Sequence, residues 1–434
     1  MPDAWVTWKA AENERPVVSA NGVWTTCSIR SSYTVVEGIT FRGTAPLDSY
    51  DDAWKAFWGK IAPEGDPGRI ASWDYPAGRM NSNGIAISKL RDTVAHHIVI
   101  RNCVARDFPA SGFGIAGDYV VLENCTAINN GWWEMYASSG INVMWMRDID
   151  ENRGYKLVIR NNISAGNRHF IPWKTGNVRL SDGNGIIMDS LDGYEGFDYQ
   201  GRILVANNLV YANGGTGIQA FRSNHIAMVN NTVFHNGATP ALGWGEMVAN
   251  QAGDVRMFNN LLCSRAGNKE DPGASVYDHN LFYNFHPGSD VGKAKRGVTP
   301  GAGNLIGVDP RFANVAEWNA RPDGFDAVTG YPAEWRQYRK AREGTKPDVW
   351  SEAENAEAAG WYPGVDYDVS KREYDVTLRA DSPALGAASD EWQAIAGGKG
   401  LANTIGIFCP VGADFFPMPV TMPGSPSWNP SSHR

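Results

Sequence analysis

Ile159-Arg160-Asn161-Asn162-Ile163 states a line that the chain repeats as Val205-Ala206-Asn207-Asn208-Leu209, Met228-Val229-Asn230-Asn231-Thr232 and Met257-Phe258-Asn259-Asn260-Leu261. Two earlier versions carry Asn102-Cys103 and Asn124-Cys125, and a later one ends in His279-Asn280. A motif that returns every few tens of residues marks a solenoid, in which each coil buries its apolar face against its neighbours. Before each asparagine pair runs an alternating strand such as Lys156-Leu157-Val158-Ile159-Arg160. Period-two alternation of this kind puts one face into a core. A second line, Gly114-Ile115, Gly140-Ile141, Gly185-Ile186 and Gly217-Ile218, opens another strand, so the sequence predicts two strands per repeat. The asparagine pairs then mark turns in which amides stack from coil to coil and satisfy bent backbone.

Short strands at this spacing, with no helical periodicity between them, predict an all-β fold. It is a single-stranded parallel β-helix of about ten coils over residues 1–434, with long loop insertions. Residues 47–82 read as a loop insertion. Residues 315–373 read as a partly helical one, from Ala333 to Arg342 and from Ser351 to Ala359. Residues 374–434 read as a terminal coil and tail. The first coil and the helical insertion are expected to cap the solenoid. At 434 residues the chain is long for one globular domain, a limit that solenoids escape.

A net charge of −8 and a pI of about 5.6 argue against nucleic acid as a partner. No apolar run is long enough for a membrane span, and the first residues do not form a signal peptide. Five cysteines, at 27, 103, 125, 263 and 409, show no zinc spacing, and Cys103 and Cys125 read as stacked inward-facing thiols. Seventeen tryptophans suggest contact with sugar rings. Many of the aromatic residues lie in insertions, where binding groups ride on loops held by a rigid scaffold. One insertion holds Trp132-Trp133-Glu134-Met135-Tyr136, and the next holds His169, Trp173, Lys174 and Asp182.

With these residues in view, the chain resembles the right-handed parallel β-helix proteins of the pectate-lyase-like superfamily. Ser181-Asp182-Gly183-Asn184-Gly185-Ile186 is similar to the Asp-Gly-Asn-Gly strand of family-nine polysaccharide lyases. The resemblance implies cleavage of an acidic, uronic-acid-containing polysaccharide by β-elimination, and a secreted or periplasmic protein, with an intracellular one not excluded. A polysaccharide or oligosaccharide is then the partner, and a monomer is expected. In that family the base follows the motif by two places, where this chain has Ile187.

The expected site therefore draws on other residues. Lys174 or His169 is the base, Tyr136 the acid, and Arg222 the group that neutralises the sugar carboxylate. Trp132, Trp133, Trp173, Asn184, Gln219 and His225 bind substrate. Asp182 and Asp189 bind calcium or substrate, with no organic cofactor. Ile186 and Met188 are expected to face inward, leaving Asp189 outward and level with Phe221, beside Arg222. Two alternatives stand beside this reading. A glycoside hydrolase would use a carboxyl pair, Asp182 with Asp189 or Glu134 with either. A noncatalytic β-helix would only bind glycan.

Overall fold

The computed structural model describes residues 5–406 except 21, 72–73, 75, 89–92, 176–177, 243–244, 265–272, 285–299, 314–350, 372–376 and 392–403. Three wholly parallel sheets of nine, ten and seven strands run along it, and the chain visits them in rotation. The result is a parallel β-helix with ten coils counted on its ten-stranded sheet. Each full coil has three strands where two were expected. The third is a short one directly after the asparagines, such as Ile163–Ala165 or Leu209–Tyr211, too brief for its alternation to show in sequence.

Inward positions stack in register. Ile98, Val120, Leu157, Ile203, Ile226 and Val255 form one such row, all fully buried. Burying each aliphatic side chain contributes roughly 1.5–3 kcal/mol. In each asparagine pair the first residue bends the chain in the left-handed region, with φ of 54–57° from Asn124 to Asn259, a conformation Asn tolerates better than most residues. The second residue turns inward. Asn162 Nδ2 donates to Leu122 O at 3.0 Å and to Asn208 Oδ1 at 3.1 Å, and Asn162 N donates to that same oxygen at 2.9 Å. The pattern repeats through Asn231, Asn260, Asn280 and Asn304. Cys103 and Cys125 hold the same place in earlier coils as buried free thiols.

A second, unforeseen ladder runs parallel to the first, five residues later in each coil. It joins Asn130, Asn167, Asn213 and Asn236 and ends on the buried carboxylate of Glu246. Its trace in the sequence is the spacing Asn-x4-Asn at 162–167, 208–213 and 231–236.

The insertion at 47–82 is not simply a loop, since it contains a helix over Tyr50–Ile61. Ser49 caps it by accepting a bond from Asp52 N, Asp51 and Asp52 suit the positive end of its dipole, and Tyr50, Ala53, Trp54 and Phe57 form its buried face. The expected helix near 351–359 is present as Glu352–Ala359, with Ser351 and Glu354 in a capping box and Gly360 left-handed at the end. It does not cap the solenoid's end. Asn355 Nδ2 donates to Phe170 O at 2.8 Å and to the Tyr50 hydroxyl at 2.9 Å, so the helix lies along the flank against helix Tyr50–Ile61. The expected helix at 333–342 falls outside the described residues. On the edge strand of the first coil, Val6 and Trp8 are exposed.

Candidate active site

The seven-stranded sheet carries the motif residues. Ile141–Val143, Ile186–Asp189 and Ile218–Phe221 lie side by side, with Asn142 level with Ile187 and Gln219. Ile186 and Met188 are in the core, as the alternation predicts, which turns Asp189 outward and level with Phe221. The insertions at 47–82, 129–138 and 166–183 enter on one flank of this sheet, where the chain arrives from the ten-stranded sheet.

Insertion 129–138 folds over the motif turn and is tied to it. Ser138 O accepts from Gly183 N at 2.9 Å, and Met135 O accepts from Lys174 N at 2.9 Å. His169 lies underneath as a bracket. Its Nδ1 meets Glu134 O at 3.2 Å, and its Nε2 faces both Ser138 O at 2.7 Å and Ser138 N at 2.9 Å. Burial holds its proton affinity below the usual value. Fully enclosed and bonded only to backbone, His169 positions the loop and has no access to a substrate proton.

Asn184 is likewise a strut. Its Nδ2 donates to Ser139 Oγ and to Asp182 Oδ1, both at 3.1 Å, while its Oδ1 accepts from Thr216 N at 2.8 Å. It joins three coils and aims Asp182. Asp182 has φ of 53°, so Asp-Gly-Asn-Gly is a genuine turn and a candidate site at once.

The electrostatics single out three carboxyls. Burial, with the neighbouring charges of Asp189 and Glu134, pushes Asp182 up to about 8. Burial raises Asp189 to about 6, opposed by the Ser190 hydroxyl, which donates to it at 2.8 Å. Burial lifts Glu134 to about 7. Among the described residues none of the three has an ion-pair partner. Asp182 and Asp189 each keep a partly exposed edge, whereas Glu134 is 7% exposed and its Oε2 has no hydrogen-bond partner.

Other expected residues separate into two groups. Lys174 and Tyr136 come together, with the ammonium 4.6 Å from the centre of the tyrosine ring and the ring 37% exposed. Trp173 is half-buried and bridges to Arg179. Gln219 is outward but nearly covered. Arg222 lies at the sheet's far edge, bound to Asp192 at 3.5 Å and stacked 3.9 Å over Tyr194, so its charge is already engaged. His225 lies beyond that edge, at the entry to the nine-stranded sheet, bonded to Asp254 at 3.0 Å. Trp132 and Trp133 are buried with Phe170 and Trp361, because the loop needs a small core of its own. The exposed aromatics on the sheet's two edges are instead Trp24, which is 51% exposed and 6.3 Å from Tyr136, together with Trp145 and Tyr194. Single exposed aromatics in turns carry no periodic signal, which is why the sequence does not reveal them.

No family model and no curated protein matches this chain. Solved structures do. It is similar to pectate lyase Pel9A, at 12% identity over 93% of this chain and 86% of that one, with a TM-score of 0.45. It is also similar to a Bacillus subtilis pectate lyase mutant, at 11% identity over 81% and 93% of the two chains, with a TM-score of 0.35. The Dettilon tailspike protein matches at 12% identity and a TM-score of 0.34, over 70% of this chain and 51% of its own. Similarity this remote says nothing of chemistry, which rests on the side chains above.

The lysine that the family resemblance places after the motif is absent, and Ile187 stands there almost wholly covered. Among the described residues no three His, Cys, Asp or Glu side chains gather to hold a metal ion.

Proposed function

We propose that the outer face of the seven-stranded sheet cleaves glycosidic bonds in a polysaccharide, with Asp182 as proton donor and Asp189 as its ionised partner. One observation carries this reading. Two carboxyls on a single turn and strand hold their protons to about 8 and about 6, so near neutral pH one is an acid and the other a carboxylate. Glycoside hydrolysis requires such a pair. Asp182 gives its proton to the bridging oxygen as the bond to the anomeric carbon breaks, and Asp189 directs water, or its own oxygen, to that carbon. Asn184 keeps the Asp182 carboxyl aimed. Activity should rise with pH as Asp189 ionises near 6 and fall as Asp182 ionises near 8, giving a bell centred near neutrality.

A second reading has its own observation. Lys174 against the exposed ring of Tyr136 is a base beside an acid, the pair that β-elimination needs. That chemistry also requires a cation for the sugar carboxylate, and Arg222 is engaged by Asp192. Hydrolysis therefore has the stronger support.

The test is incubation with pectate, alginate, glucuronan and neutral glucans, following reducing ends and ultraviolet absorbance together. Reducing ends alone fit hydrolysis, whereas reducing ends with new absorbance mean elimination. Neither signal on any polymer would sink both readings and leave glycan binding.

A further inference from the structure

Hydrolysis by the carboxyl pair leaves Lys174 and Tyr136 without a task, although both stand on insertions that enter at the same edge of the sheet as Asp182. We propose that Trp24, Tyr136 and Lys174 form a sugar subsite remote from the carboxyl pair, taking an acidic unit of the polysaccharide chain. The inference rests on the hydrolytic reading for the chain it serves, but binding tests it without cleavage.

The argument begins with the rings that are left outside. The loop that carries Tyr136 buries Trp132, Trp133 and Met135 in a small core of its own, and the tyrosine ring stays exposed. The same loop reaches back along the solenoid. Trp133 Nε1 donates to Ala45 O at 2.8 Å and Glu134 N to Pro109 O at 3.0 Å, which brings Tyr136 to Trp24, with ring centres 6.3 Å apart and planes at 48°. Trp24 is an exposed ring on a fixed backbone. Its carbonyl accepts from Asn83 N at 2.8 Å and from Asn83 Nδ2 at 3.2 Å, and Gly78 packs so closely on Gly22 that a Cβ at position 78 would strike Gly22 O. Two exposed rings held in this way offer a platform to the apolar face of a sugar ring.

Charge says which sugar. Lys174 N donates to Met135 O at 2.9 Å, and the ammonium lies 4.6 Å from the centre of the Tyr136 ring. Arg179 is exposed close by, its carbonyl accepting from Trp173 N at 2.8 Å. Among the described residues neither cation makes an ion pair, in a chain of net charge −8, whereas Arg222 is engaged by Asp192. An unpaired ammonium beside a stacking platform suits a sugar that carries a carboxylate. Position then sets the length. Trp24 precedes Thr25–Ile29, the terminal strand of the seven-stranded sheet, and three strands separate that one from Ile186–Asp189. At about 4.8 Å per strand the two lie roughly 19 Å apart. Only a chain of several sugars reaches both.

The experiment is affinity electrophoresis in native gels cast with pectate, alginate, glucuronan or a neutral glucan, which reads binding as retardation. At least one acidic polymer is expected to retard the wild type, and Trp24→Ala to weaken that affinity about tenfold or more, with Trp24→Phe in between. Lys174→Gln is expected to weaken it too and to remove much of its salt dependence. Trp8→Ala, which deletes an exposed tryptophan from the nine-stranded sheet, is expected to bind as the wild type does. Unchanged retardation of folded Trp24→Ala would overturn the proposal, as would neutral glucans that bind as tightly as the acidic polymers, or no retardation by any polymer. If Trp24→Ala does not fold, unchanged retardation of Lys174→Gln overturns it equally. The two readings fail separately. Retardation that depends on Trp24 in a protein that cleaves nothing sinks hydrolysis and keeps the subsite, whereas cleavage with Trp24→Ala bound as tightly as the wild type sinks the subsite and keeps hydrolysis.

Discussion

Two acidic clusters stand on neighbouring coils, and they are solved in opposite ways. On the nine-stranded side, Lys156 is wholly buried, with its ammonium 2.7 Å from Asp118, 2.8 Å from Asp148 and 3.0 Å from Asp150. Every one of those carboxylates has further donors. Asp118 accepts from Tyr199 Oη and Tyr119 N, Asp148 from Gln200 N and Gly201 N, and Asp150 from Tyr119 Oη. Burial pulls the Lys156 proton affinity down, but its carboxylate partners outweigh this and carry it well above the usual value. On the seven-stranded side, Glu134, Asp182 and Asp189 make no ion pair among the described residues. Their protons do the work that Lys156 does across the coil. A buried charge that is fully paired serves the fold, while carboxyls left to hold protons near neutral pH are suited to chemistry.

Removing the cation from the paired cluster should give the largest effect. Lys156→Met leaves three carboxylates facing one another with only the exposed Arg153, 3.8 Å from Asp148, as counter-charge, and breaking a buried pair in this way costs about 3–5 kcal/mol. Equilibrium urea unfolding at pH 7 should show that loss, and it should shrink toward pH 4 as the carboxylates take up protons. A loss that is the same at both pH values would mean that Lys156 acts by packing against Tyr119 and Tyr199 rather than by charge.

The ladders are the neutral counterpart of the paired cluster. Asn208 accepts from Asn162 N and Nδ2, and it donates to Ile159 O and Asn231 Oδ1. Asn208→Ala strands several of these groups inside the coil, and about 2–3 kcal/mol should be lost at every pH. Denaturant unfolding at pH 5 and pH 8 checks this. A pH-dependent loss would blur the contrast between neutral ladder and charged clusters.

What the sequence made legible follows the same division. Coils repeat, so Asn162, Asn208, Asn231 and Asn260 reveal themselves by recurrence, as do the inward rows that include Ile186 and Met188. The site is built once. Asp182 stood out through the Asp-Gly-Asn-Gly resemblance and Asp189 through the alternation that turns it outward, but the burial of His169, the engagement of Arg222 by Asp192 and the distance of His225 from the motif depend on how unlike loops fold over one another. Trp132 and Trp133 mislead for a related reason. An insertion large enough to wall a sheet needs an apolar centre, and an aromatic doublet supplies that as readily as it stacks on sugar.

One expected change in stability runs against habit, since it is a gain. Asp182 has an ordinary value of 3.8 in the unfolded chain and about 8 in the fold. A carboxyl raised by folding favours the native state below pH 4, and that advantage is lost progressively as pH climbs to about 8, because the unfolded chain ionises freely while the folded one resists. Asparagine has no proton to lose. Asp182→Asn should therefore match the wild type near pH 4 after any constant packing difference is removed, become relatively more stable up to pH 8, and hold that margin above it. Thermal unfolding of both proteins across this range measures the margin directly. The same variant lacks the proton donor, so hydrolysis should fall by about 10²–10⁴-fold. A variant that is inactive but gains nothing at alkaline pH would show that Asp182 meets its substrate already ionised, and the contrast between the two clusters would then fail at its centre.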